Sequence, residues 1–225
     1  VPFAHRGLHG PGVVENGLAA FDAAVAAGHG VELDVQLSRD GEAMVFHDYE
    51  LDRLTGEAGA VASRTSAELG VIAYRDGERG IPTLPRALRL IAGRVPLLIE
   101  VKSRNRRIAP LCEAVRRALD DYGGAVGVMS FNPEVGRWFA RHAPEVLRGL
   151  VVSEAGKKGL RGRIERRLSR FRSHADFLAC DIRDLPSRFA ATAGLPMFTW
   201  TVRSEADRAR AAAHADQIIY EAPER

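Results

Sequence analysis

The chain has 225 residues, 46% of them hydrophobic and 27% charged, enough apolar material to bury one sizeable core and within the range of one large domain. Lys and Arg number 32 against 29 Asp and Glu, and the formal charge of +3 admits anionic small molecules while pointing to no nucleic-acid partner. The two cysteines, Cys112 and Cys180, exclude a disulfide scaffold and lack metal-ligand spacing, so both read as core residues.

In chain order, short apolar runs alternate with amphipathic stretches, the pattern of repeated βα units around a parallel sheet. Strands are predicted at Pro2–His5, Val31–Val35, Leu97–Val101, Val126–Ser130, Leu147–Val152, Phe177–Cys180, Met197–Val202 and Gln217–Tyr220. Helical spacing of apolar residues predicts helices at Leu18–Ala27, Ile108–Tyr122, Pro133–His142, Leu160–Phe171 and Glu205–His214. Eight such strands fit a closed (β/α)₈ TIM barrel better than an open sheet, as one domain over 1–225. The segment 41–85 breaks the alternation and reads as a loop insertion after the second strand, lying over the barrel mouth and carrying a return strand at Ala43–His47.

Side chains alternate across a strand, so Glu32 and Asp34 share one face of the second strand while Val31, Leu33 and Val35 take the other. Like charges two residues apart in a barrel repel unless a proton or cation lies between them. The third strand repeats the pattern with Glu100 and Lys102 near its end. Three carboxylates from two strands would form an oxygen-rich site for one hard divalent cation, Mg²⁺ or Ca²⁺; an ion-pair network with Lys102 and Arg6 is the other reading. His5 follows the first strand, where barrel enzymes place catalytic groups, and His47 ends the return strand beside Asp48, whose carboxylate could orient it. Two histidines near a metal supply proton transfer at phosphorus, and Arg6 and Lys102 supply phosphate contacts.

Taken in order, Ala4-His5-Arg6-Gly7, Glu15-Asn16, Glu32-Leu33-Asp34-Val35, Asp40-Gly41 and Phe46-His47-Asp48 resemble the N-terminal signature of glycerophosphodiester phosphodiesterases. The similarity continues through Leu51, Arg53 and Thr55, then Ile99-Glu100-Val101-Lys102, Ser130-Phe131 and Trp200-Thr201-Val202, and so spans nearly the whole chain. It implies a barrel, a cation held by Glu32, Asp34 and Glu100, phosphate contacts from Arg6 and Lys102, and His5 and His47 as the acid–base pair. It also implies that glycerophosphodiesters are cleaved to glycerol 3-phosphate and an alcohol, with the glycerol 2-hydroxyl attacking phosphorus first. Trp200, which alone would read as core, becomes under the resemblance a wall for the glycerol or alcohol.

Several positions depart from that family's pattern. Val14 and Gly17 flank Glu15-Asn16, leaving Asn16 as the expected cap of the first helix. Arg203 stands where Asn or Asp is usual, and Tyr220-Glu221-Ala222-Pro223 replaces a terminal Thr-Asp-x-Pro. Arg203 either reaches the substrate or pairs with Glu205, Asp207 or Glu221.

The stretch 157–172 holds eight Lys or Arg and one Glu, with Leu160, Ile164, Leu168 and Phe171 as an apolar stripe. It reads as an outer barrel helix with a solvated basic face, or as a weak contact to anionic membrane surfaces. A lysophospholipase D-like activity and a non-catalytic barrel binding phosphorylated metabolites are the rival functions; the latter would be expected to have lost a histidine, a metal carboxylate or Lys102, and none is lost. No run approaches the ~18 apolar residues of a bilayer span and no basic-then-apolar leader pattern is seen, which makes the cytoplasm the expected compartment.

Overall fold

In the computed structural model, residues 1–103 and 107–222 are described; Pro223 of the terminal motif lies outside them. The strands are β1 (Phe3–His5), β2 (Gly30–Leu37), β3 (Ala43–Val45), β4 (Leu97–Val101), β5 (Val126–Ser130), β6 (Leu147–Val152), β7 (Phe177–Asp181), β8 (Met197–Val202) and β9 (Gln217–Tyr220). All but β3 run parallel to their neighbours, and β1 pairs with both β9 and β2, which closes an eight-stranded barrel. The antiparallel β3 pairs with the C-terminal end of β2, Val35 to Leu37, beyond the residues of β2 that pair with β1. The helices are α1 (Leu18–Ala26), α2 (Ser66–Leu69), α3 (Leu84–Ile91), α4 (Ala109–Leu119), α5 (Pro133–His142), α6 (Leu160–Ser173), α7 (Arg188–Ala191) and α8 (Glu205–His214). The eight predicted strands are all present, as are the five predicted helices. The sequence reading lacked α3, whose short amphipathic pattern lies directly after the insertion.

Register explains how the barrel is filled. Residues aligned across parallel strands face the same side, and Phe3 aligns with Gly30, His5 with Glu32, Glu32 with Leu98, Asp34 with Glu100, and Glu100 with Met129. The lower interior is apolar: Phe3, Leu98, Met129, Val151, Phe177, Ala179 and Ile219 form one buried cluster, with Phe198 and Trp200 against it. Large rings fit there because facing strands carry glycine. A Cβ at Gly30 would lie 2.6 Å from the Phe3 ring, and one at Gly149 would enter the Phe177 ring. The polar inward residues therefore collect at the strands' C-terminal ends, where barrel enzymes keep their chemistry.

The alternate strand residues, among them Ala4, Val31, Leu33, Val35, Leu97, Ile99 and Val101, pack outward in a larger cluster with Phe21, Ala87, Ile91, Leu111 and Val115 of the helices. Cys112 and Cys180 are buried, unpaired members of that layer. The insertion has its own small core of Met44, Phe46, Leu51, Val61, Leu69, Ile72, Tyr74 and Ile81, closed by Val14. This segment is thus a packed flap and not a loose loop.

Two expectations fail. Asn16 does not cap α1; the cap position is Gly17, with no side-chain bond, because the Asn16 amide is engaged with Asp34 instead. The return strand is shorter than predicted and ends at Val45, so His47 sits beyond the ladder. The helix at Leu160 is an outer barrel helix as predicted, but it is turned so that Gly162, Arg166 and Ser173 face inward, leaving Leu160, Ile164, Leu168 and Phe171 exposed. Close approach to α5 accompanies this orientation: a Cβ at Gly136 of α5 would collide with the Ser173 carbonyl of α6. Among the described residues, no helix is long and apolar enough to cross a membrane.

Candidate active site

A cleft of about 360 Å³ opens at the barrel mouth and is lined by His5, Arg6, Glu32, Asp34, His47, Glu100, Lys102 and Trp200. Every site residue singled out in the sequence therefore reaches one cavity. The far wall adds Met129, Phe131, Ile219, Asp181, Arg183 and Arg203.

The carboxylates of Glu32, Asp34 and Glu100 each offer an oxygen within 4.8 Å of the others, and Glu32 and Asp34 are buried. Burial, and then the charges of Asp34 and Glu100, hold the Glu32 carboxyl well above the usual range. Burial and Asp34 likewise push Glu100 up to about 7. Burial also acts upward on Asp34, yet Lys102 and Arg6 outweigh it and keep this carboxylate low. Lys102 Nζ lies 3.5 Å from Asp34 and 3.3 Å from Glu100. The Arg6 guanidinium donates to Glu15 at 2.7 Å and stands 3.3 Å from Asp34, while its backbone N–H donates to Glu32 at 3.1 Å. Two cations against three carboxylates leave the cluster short of positive charge, and an all-oxygen donor set of this density fits a hard divalent ion. The residues present thus suit the metal their pattern implies.

Both histidines are held through Nδ1. His5 meets Glu221 at 2.7 Å and His47 meets Asp48 at 2.7 Å. A carboxylate at Nδ1 favours the tautomer protonated there and leaves Nε2 as the basic atom. The Nε2 of His5 lies 4.0 Å from Glu32. Burial pulls both imidazoles below their ordinary pKa despite these partners, so the neutral form is favoured.

Around these groups runs a web of tethers that the sequence reading did not place. Asn16, fully buried in a left-handed backbone (φ 59°) that Asn tolerates, donates to Asp34 Oδ2 at 3.0 Å and accepts from its backbone N–H at 3.2 Å. Gln36 donates to the carbonyls of Phe46 and Asp48, which fixes the chain on both sides of His47. Arg53 bonds Asp48 and, at 2.6 and 3.0 Å, Glu15. Glu221 accepts from Arg203 at 2.6 and 2.8 Å as well as holding His5, and these hydrogen bonds, with the Arg203 charge, take its pKa down to about 2 against the opposing effect of burial. Of the two readings of Arg203, the ion pair is formed, although the side chain still borders the cleft. Trp200 donates its indole N–H to the Ala179 carbonyl at 2.9 Å and stacks edge-on to Phe131, with centroids 5.5 Å apart. Strict alternation would have put Thr201 on the opposite side from Trp200, but an irregular β8–β9 register between Thr199 and Val202 brings both to the cleft.

A closed parallel barrel with two carboxylate-tethered histidines, paired cations and a metal-ready acidic trio at its mouth defines a phosphoester hydrolase. Comparison with known proteins narrows this. Residues 5–225 match the glycerophosphoryl diester phosphodiesterase family, and the chain belongs to it. It is 30% identical over 236 residues to YhdW of Bacillus subtilis (strain 168), covering 98% of this chain and 94% of the relative. A glycerophosphodiester phosphodiesterase of Caldanaerobacter subterraneus is 35% identical over 158 residues, covering 66% of this chain and 65% of its own. A phosphodiesterase of Oleispira antarctica, solved with the product sn-glycerol-3-phosphate, superposes with a TM-score of 0.81 at 25% identity, covering 97% of this chain and 91% of that one. The chain is accordingly a phosphoric diester hydrolase acting on glycerophosphodiesters.

Proposed function

We propose that this enzyme hydrolyses glycerophosphodiesters to glycerol 3-phosphate and an alcohol with one divalent cation held by Glu32, Asp34 and Glu100, and with His5 and His47 as the acid–base pair. The observation that carries the proposal is the joint placement, in one cleft, of that buried trio and two imidazoles whose Nδ1 atoms are both occupied by carboxylates. When bound, the cation would draw charge from a phosphoryl oxygen and lower the pKa of the attacking hydroxyl. The protein's own groups do the rest. Arg6 and Lys102 line the phosphate side of the cleft and supply donors to the remaining oxygens. A neutral imidazole accepts the proton of the attacking hydroxyl, the substrate's glycerol 2-hydroxyl or water, through Nε2. As the new P–O bond forms, the P–O bond to the alcohol breaks and an imidazolium gives a proton to the departing oxygen. Where the 2-hydroxyl attacked, water then adds to the cyclic phosphate, an imidazole taking its proton, and the P–O bond to the 2-oxygen breaks with a proton returned to it, giving glycerol 3-phosphate. Trp200 and Phe131 form an apolar wall on the opposite side, suited to the carbon skeleton of the glycerol or the alcohol.

The test is product analysis on glycerophosphocholine, glycerophosphoethanolamine and lysophosphatidylcholine, with and without Mg²⁺ or Ca²⁺. Release of glycerol 3-phosphate from the first two, abolished by chelation and restored by metal, is expected. Full activity in protein shown by elemental analysis to be metal-free would sink the cation assignment, and exclusive cleavage of lysophosphatidylcholine would replace the substrate class.

A further inference from the structure

Four of the eight large apolar side chains exposed among the described residues lie on α6: Leu160 (72% exposed), Ile164 (51%), Leu168 (63%) and Phe171 (84%). At about 100° per residue they fall within an arc of about 80°, opposite the inward Gly162, Arg166 and Ser173. Isolated exposed apolar residues are ordinary, but an aligned row on one helix is not. Exposed arginines border the row on both sides, Arg161 and Arg172 on one, the latter paired with Glu134 of α5, and Arg163 and Arg167 on the other. The helix's lone acidic residue, Glu165, is bonded to Lys157 at 2.6 Å.

We infer that α6 docks this enzyme on an anionic phospholipid surface, its apolar row entering the headgroup region and its flanking arginines meeting lipid phosphates. The arrangement is that of an interfacial helix, with apolar residues at the apex and cations at the shoulders. Charge decides between this occupant and a second copy of the chain: a two-fold contact through α6 would press the four arginines against their own duplicates, whereas an anionic bilayer complements them. A second cleft, of about 410 Å³, adjoins the Arg163 and Arg167 shoulder and is lined also by Lys158, Arg166 and Arg188, with Glu154 as its one carboxylate. Arg166 is buried at its base, its guanidinium held by Glu154 at 3.3 Å and by the Lys157 carbonyl at 2.9 Å, so the cations that face a lipid phosphate beside the row are the exposed Lys158, Arg163, Arg167 and Arg188. Because α6 follows β6, its N-terminus lies on the mouth side of the barrel, so docking leaves the catalytic cleft at the edge of the membrane contact.

Co-sedimentation of the full chain with vesicles tests this. Vesicles of equal parts phosphatidylcholine and phosphatidylglycerol should retain the protein at low ionic strength, while phosphatidylcholine alone should not. Ile164→Ser/Phe171→Ser should weaken retention by about tenfold or more, and Arg163→Gln/Arg167→Gln should weaken it similarly and reduce its salt dependence. Both variants should keep wild-type turnover of a soluble diester, since none of these side chains touches the catalytic cleft, and that turnover shows them to be folded. No retention on the anionic vesicles, or equal retention on neutral ones, overturns the inference. So does a dimer seen by light scattering that Ile164→Ser/Phe171→Ser dissolves, which would assign the row to a second copy.

Discussion

Chelated protein should lose stability as the pH rises from about 5 to about 8, and Glu100→Gln should remove the share of that loss that Glu100 carries, leaving the share of Glu32, whose carboxyl burial also raises. Burial and Asp34 take Glu100 from 4.5 to about 7. A carboxyl whose folded pKa is raised holds its proton more tightly in the folded state. The fold therefore carries no penalty from this group below about 4.5, and the penalty grows as the pH climbs through about 7. The side chain is only 12% exposed, so solvent screening discounts little. The shift corresponds to about 3 kcal/mol at full titration, most of which falls between pH 5 and pH 8. Asp34, held low by Lys102 and Arg6, is ionised throughout this window and adds nothing to the slope. Urea unfolding of wild type and Glu100→Gln in chelator at the two pH values would measure the difference. Added Mg²⁺ or Ca²⁺ should then restore wild type at the higher pH and leave the variant unmoved. If the two chelated proteins show parallel pH profiles, Arg6 and Lys102 already neutralise the trio, and its charges form an ion-pair network with no need of a metal.

Removing either imidazole, His5→Ala or His47→Ala, should lower kcat by on the order of 10² to 10⁴ with thermal stability little changed, checked by steady-state kinetics beside a melt. Glu221→Gln leaves an acceptor near His5 Nδ1 but removes the charge that favours its tautomer and pairs Arg203. Its kcat should fall about 10- to 100-fold while KM stays within about twofold, and a KM change alone would show that Glu221 serves the pocket wall and not His5. Asn16→Ala leaves a buried carboxylate short of one donor and should cost about 1–3 kcal/mol in denaturant unfolding; an unchanged midpoint would show that Arg6 and Lys102 suffice to hold Asp34.

The barrel and the reactive groups were legible in the sequence because both follow from strand periodicity. Glu32, Asp34 and Glu100 interrupt apolar strands at the same parity, and a polar residue of that parity near a strand's end has one place to go, the mouth. Asp48 beside His47 was legible, and Glu221 was among the partners offered for Arg203; the tethers of Asn16 and His5 were not, because they join residues whose proximity is set only when the ring closes. Glu221 meets His5 across 216 positions of chain, and nothing local to either marks the pair. Asn16 was misread for a related reason: the local rule that Asn caps a helix competed with a buried carboxylate on another element, and the carboxylate won. The orientation of α6 was hidden because an apolar stripe ordinarily faces the core, whereas here Gly136 of α5 meets the Ser173 backbone of α6 too closely for a large side chain between them.

Charge balance ties the tethers to the reaction. Glu15, Glu32, Asp34, Asp48, Glu100 and Glu221 stand in one connected web with Arg6, Arg53, Lys102 and Arg203, six carboxylates against four cations. Counted as ionised, the web holds two surplus negative charges, and the raised pKa of Glu32 shows where the ion-free fold relieves them, by keeping a proton. A phosphodiester carries a negative charge of its own and would enter that field against repulsion. Under the proposed function, one divalent cation at the trio would bring the web to neutrality and concentrate positive charge close to Arg6 and Lys102, the groups proposed to meet the phosphate. On that reading, the excess of carboxylates is the feature that would make ion binding and anion binding interdependent. It also explains why Glu221 and Asp48, each bonded to an arginine, can steady the two histidines without adding uncompensated charge beside the substrate.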